Sequence, residues 1–197
     1  MNSEKVFSTA VSDTVLALVA IFGSSLFMQT EMNGTAGIGF LLTGLAALFG
    51  TVRFGLWPQV RVFHEFLSAL AGNVGVPLIA VAFYHHSLPL PGLILIGSLV
   101  ALTLLHILFT VIISFPLYGI IIGSIAMLAI IVAGILVIWE NIVAGIFSIA
   151  GSILIAVAGL LIKTEGEWGS MRRVDIFHYA LAVAYVLLII ALRGVLR

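Results

Sequence analysis

The sequence predicts an all-α fold: a polytopic membrane protein whose seven transmembrane helices form a single bundle domain over residues 1–197. Three observations predict it. Hydrophobic residues make up 62% of the chain and charged ones 8%. A soluble domain carries about 25% charged residues, so water is not the main solvent here. The apolar residues collect into seven stretches, most of them close to the roughly 20 residues that cross about 30 Å of hydrocarbon. The segments between these stretches are short and rich in helix-stopping residues, which leaves no room for a soluble domain.

Taken in order, the first stretch is 7–28. It follows a polar start with one lysine and no small-residue cleavage site, so it reads as a retained helix and not a signal peptide. A turn-forming Asn-Gly in QTEMNGTA leads to the second, 37–53, the shortest, which is expected to extend into its flanks. GLWPQV places a proline before the third, 60–84. HHSLPLP leads to the fourth, 92–113, and SFP to the fifth, 117–139. WEN precedes the sixth, 141–163. The longest polar stretch, KTEGEWGSMRR, precedes the seventh, 174–192. Within the third span, GNVGVP is a place where Pro77 either breaks the helix or permits close packing. GIIIG at 119–123 reads as a packing face.

Lysine and arginine set the orientation. Lys5, Arg53, Arg61, Lys163, Arg172 and Arg173 fall on the side of the N-terminus, and Arg193 and Arg197 on the other. The expected topology is a cytoplasmic N-terminus and an external C-terminus. Trp57, Trp139 and Trp168 fall at span ends, where amphipathic rings prefer to sit.

Composition also excludes functions. Eight basic and eight acidic residues leave no net charge and no basic run, so nucleic acid is not an expected partner. Membrane lipids are. Cysteine is absent, which removes disulfides, thiolate nucleophiles and thiolate metal sites.

The ionisable residues well inside the spans share one depth. Asp13 lies six residues into the first span, about 9 Å in, and His106 seven residues before the end of the fourth, about 10 Å in. His64 is one turn inside the third, and Asp175 and His178 occupy the first turns of the seventh. All fall in the cytoplasmic third. Shallow placement alone accounts for Arg53, Arg61 and Glu65, the last two spaced to pair at i, i+4. Asp13, His106 and His178 have side chains too short to snorkel, which points them to a polar interior. Asp175 and His178, three residues apart, share a helix face with Tyr185 seven further on. A carboxylate there orients the imidazole or shifts its proton. His85 and His86, beside SLPLP, read instead as solvated and dispensable loop residues.

Three chemistries fit these groups. The first is a zinc site held by His64, His106 and His178. Asp13 and Asp175 then serve as ligand, orienter or proton acceptor, Ser68 and Tyr185 line the pocket, and a metal-activated water cleaves a lipid ester or amide. The layout resembles the alkaline ceramidase and adiponectin receptor superfamily, seven-span hydrolases with a zinc ion in the bundle. The resemblance implies that activity and that cofactor. Two motif positions differ from it: Val174 stands four residues before His178, and Val60 four before His64, where the superfamily has histidine and serine; Ser68 follows His64 instead. The start of the last helix also resembles bacterial seven-span proteins with a similar Asp-x-x-His. The second chemistry is b-haem, ligated by His106 with His64 or His178. The third is a proton-coupled or small-solute transporter or channel; against a charged relay, the external half of the spans offers only Ser, Thr and Asn.

Overall fold

The computed structural model describes residues 6–29, 34–87 and 92–195, the side chains of 85–87 and 92–95 excepted. Eight α-helices follow one another: α1 (Phe7–Phe27), α2 (Gly34–Gly55), α3 (Arg61–Leu70), α4 (Val76–Ser87), α5 (Gly92–His106), α6 (Tyr118–Val137), α7 (Ile142–Val157) and α8 (Arg173–Val195). A π turn, Ala71–Gly75, joins α3 to α4. Pro77 has no N–H to give a carbonyl one helical turn back and its ring crowds that turn. The wider π turn just before it accommodates the defect without ending the span. The GNVGVP stretch therefore bulges and does not break. Two further π segments, Ile107–Ile112 and Ala158–Ile162, finish α5 and α7.

Among the described residues, six helices are long and apolar enough to cross a membrane: Phe7–Phe27, Gly34–Gly55, Pro58–Tyr84, Tyr118–Val137, Ile142–Ile162 and Arg173–Val195. The predicted fourth span coincides with α5 and its π continuation, which together run from Gly92 to Ile112 and are apolar over Ile96–Ile112, where the side chains are described. The second reaches beyond both predicted ends, and α4 continues to Ser87. His85 and His86 thus fall in its last turn and not in a loop; their side chains lie outside the described residues. A two-residue hairpin, Glu167–Trp168 paired with Met171–Arg172, forms the polar connection before α8. Gly166 and Gly169 supply its left-handed turns at φ 88° and 62°.

Helix directions follow from paired neighbours. Gly44 of α2 faces Ile21 and Gly50 faces Asp13 of α1, an antiparallel pair. Ser12 of α1 meets His178 and Gly23 meets Ile189 of α8, a parallel pair. Contacts run α1–α2, α2–α4, α4–α6, α6–α7, α7–α8 and α8–α1, which closes a ring of six spans. α5 lies outside this ring and packs on α4 and the Ala71–Gly75 turn. Seen from this ring, large apolar side chains point outward as well as inward: Leu18, Phe22, Leu128, Leu136 and Val183 are all more than half exposed. A protein dissolved in hydrocarbon has no reason to hide them. The chain is, by these helices, an integral membrane protein.

Small residues set the helix spacing, as membrane packing favours. Between α6 and α7, a Cβ at Gly145 would lie 2.7 Å from the Gly134 carbonyl oxygen and 2.8 Å from Ile138 Cα. Both are backbone atoms and cannot rotate away. Gly145→Ala is expected to force these helices apart and cost about 1–3 kcal/mol, read as a drop in thermal midpoint in detergent. An unchanged midpoint would mean the two helices are not in such close contact.

Candidate functional site: a buried Asp–His–Ser–Asp chain beside an intramembrane cavity

On α1, Thr9, Ser12 and Asp13 stand at i, i+3 and i+4 and are almost completely buried, at 0%, 0% and 1% exposure. That spacing makes them one face, and the face is turned on α8. His178 Nε2 lies 3.4 Å from Asp13 Oδ1. His178 Nδ1 lies 3.1 Å from Ser12 Oγ. Ser12 Oγ is in turn 3.0 Å from the Thr9 carbonyl oxygen and 3.5 Å from Asp175 Oδ1. The side chains therefore form one chain, Asp175–Ser12–His178–Asp13. The second carboxylate oxygen of Asp13 has no hydrogen-bond partner.

Asp13 and His178 also line a cavity of about 200 Å³, together with His64, Ser68, Thr43 and Tyr185. Its inner end is closed by Tyr185, whose hydroxyl hydrogen-bonds Thr43 at 2.8 Å. Behind it Phe40 meets the Tyr185 ring edge-on and stacks on Phe27. Beyond Tyr185 the core is mostly apolar, with Phe83, Ile130, Val137, Leu192 and Val195 buried, but it also holds the buried hydroxyls of Ser24, Ser148 and Ser152.

The structure thus brings together Asp13, His64, Ser68, His178 and Tyr185 around one cavity, with Asp175 one hydrogen bond behind it. It does not bring His106. Because α5 lies outside the ring, His106 meets the Ala71–Gly75 turn, where its Nδ1 is 3.2 Å from Asn73 Nδ2. His64 differs in a second way. Its Nδ1 lies 2.9 Å from Arg53 Nη1, and a guanidinium can only donate. Nδ1 is therefore the acceptor, and the neutral ring carries its hydrogen on Nε2, leaving no lone pair there for a metal. Among the described residues no group of three or more such side chains is placed to hold a metal ion. A catalytic zinc takes three protein ligands; Asp13 and His178 offer two. His106, the haem ligand expected to pair with His64 or His178, does not line the cavity that they share.

Sequence reading missed Ser12, Thr43 and Asn73. Ser12 carried a usable signal, the Thr9–Ser12–Asp13 face; Thr43 and Asn73 look like ordinary packing polar residues until their partners are known. Arg61 and Glu65 pair at 2.6 Å, the i, i+4 contact their spacing implies, and Arg53 joins Glu65 at 3.6 Å. No protein-family model, curated protein or solved structure matches this chain.

Proposed function

We propose that the protein is a seven-span membrane protein in which the Asp175–Ser12–His178–Asp13 chain moves a proton to and from a membrane-derived molecule held in the cavity. The observation that carries this reading is the chain itself, because it has two self-consistent hydrogen arrangements. In one, the Ser12 hydroxyl donates to His178 Nδ1 and His178 Nε2–H donates to Asp13. In the other, which holds one proton more, Nδ1–H donates to Ser12, Ser12 donates on to the Thr9 carbonyl or Asp175, and the proton taken up from the cavity sits between Nε2 and Asp13. Passing from one to the other takes up or releases one proton at Asp13, which is what acid–base chemistry needs of a buried histidine. Asp13 itself lines the cavity and is the relay's contact with it.

The gathering of Asp13, His64 and His178 around one cavity favours chemistry in place over passage across the membrane. Hydrolysis of a lipid ester or amide is the reaction class that fits. Asp13 accepts a proton from the attacking water, His178 and Ser12 carry it towards Asp175, and the leaving alcohol or amine takes a proton back by the same route. Zinc is not given a step, since the third ligand is missing; stoichiometric zinc in purified protein, lost in His178→Ala, would reinstate the metal-dependent hydrolase.

Infrared difference spectroscopy on the protein in lipid nanodiscs tests the relay. A carboxyl band that disappears in Asp13→Asn is expected to shift in His178→Gln, and its hydrogen–deuterium exchange to slow in Ser12→Ala. An Asp13 band indifferent to both substitutions would sink the relay.

In this reading α5 completes a seventh crossing, and the cavity lies near the cytoplasmic face. Reporter fusions at the Gly166 turn should then report the cytoplasm and fusions at the C-terminus the exterior. Both reporting one compartment would overturn the topology.

A further inference from the structure

A second cavity, of about 220 Å³, adjoins the first and shares Gly72, Val76, Ile155 and Gly159 with it. It runs out between the Ala71–Gly75 turn, α6 and the end of α7, past Gly123 and the half-exposed Leu160. Gly72 and Gly159 both sit in π turns. A Cβ at Gly72, Gly123 or Gly159 would meet nothing within 4 Å. These glycines do not serve close helix packing, unlike Gly134 and Gly145; they keep a channel open on the lipid-facing side of the ring. The surrounding medium there is acyl chain, and the wall of the second cavity is apolar apart from Ser124.

We infer that this cleft is a lateral entry that seats one acyl chain, with the head group of the same molecule delivered to Asp13. The head is an uncharged hydrogen-bond donor, an alcohol or amide, and not a phosphate. Asp13 Oδ2 is buried, unpartnered and an acceptor when ionised. Asp175 stands one hydrogen bond behind, and neither lysine nor arginine lines the cavity; the nearby Arg53 is turned to His64 and Glu65. A phosphate would meet the Asp13 carboxyl group with no lysine or arginine in the cavity wall to hold it, whereas an alcohol or amide can donate to that group. This inference rests on the relay reading for what happens to the head, but the cleft and its occupant are tested independently of proton movement.

The experiment uses the full chain in phosphatidylcholine nanodiscs. The probe is a palmitoyl-length primary alcohol with a mid-chain diazirine, compared with the same chain ending in phosphate. Photolabelling by the alcohol is expected on the Ala71–Gly75 turn and the end of α7, with the phosphate labelling about tenfold less. Gly72→Leu and Gly159→Leu should each lower alcohol labelling by about tenfold through occlusion. Gly97→Leu, whose Cβ also meets nothing within 4 Å but which lies on α5 away from the cleft, should leave it unchanged. Asp13→Asn should keep the chain label and erase the preference for alcohol over phosphate. Labelling of either occluding variant equal to that of the unaltered protein, or equal labelling by the two heads in the unaltered protein, overturns the inference. A silent infrared relay with intact selective labelling would remove the proton chemistry and leave the lipid site.

Discussion

His178→Ala is expected to destabilise the protein by about 1–3 kcal/mol, the cost of leaving a buried carboxyl group without its partner. Asp13 is the reason. Its carboxylate is 1% exposed, its Oδ2 has no hydrogen bond, and His178 Nε2 at 3.4 Å is the one side-chain partner seen for Oδ1 among the described residues. Ser12 would lose its Nδ1 neighbour as well. Because the penalty belongs to the stranded carboxylate and not to the missing ring, a second substitution should recover much of it. Asp13→Asn in the His178→Ala background is expected to be more stable than His178→Ala alone, a coupling that a double-mutant cycle reads directly. The measurement is reversible unfolding or thermal inactivation in one detergent across the four proteins. Additive effects would show that Asp13 and His178 do not interact, and the relay would lose its central link.

Gly50→Ala should be nearly as severe and should act on the same group from the opposite side. A Cβ at Gly50 would collide with the Asp13 carboxylate, 2.6 Å from its Cγ and closer still to Oδ2. Asp13 cannot swing freely, since α1 and α2 pack tightly here: at Gly55, one turn on, a Cβ would lie 3.3 Å from Ala10 Cβ. Either the helices separate, costing about 1–3 kcal/mol, or the carboxylate turns away from His178. Both outcomes break the Asp13–His178 contact, so Gly50→Ala should lose the His178-dependent shift of the Asp13 infrared band. Gly34→Ala makes the control, because a Cβ there meets nothing within 4 Å. A Gly50→Ala protein with normal stability and an unchanged band would show that the carboxylate has room the structure denies it.

Much of this was legible in the chain itself. With 8% charged residues, burial in lipid is the only way to satisfy the composition, and backbone hydrogen bonding in lipid permits only helices here. Hydropathy, a one-dimensional quantity, therefore placed the helices and gathered Asp13, His64 and His178 at one depth. The face of Asp175 and His178 also followed, because helical spacing is local. Azimuth around the bundle is not local, and it is what the tertiary structure decided. His106 has the right depth but sits on a helix outside the ring, so it binds Asn73 and misses the cavity. His64 reaches the cavity, but Arg53, on the neighbouring helix, claims its Nδ1 and removes the lone pair a metal would need. Ser12, silent in a hydropathy profile, becomes the hinge of the hydrogen-bonded chain only when α8 packs beside α1. Depth comes from summed transfer energies along one helix, whereas partnership depends on which faces pack together, and that is settled by contacts between residues as far apart as Ser12 and His178.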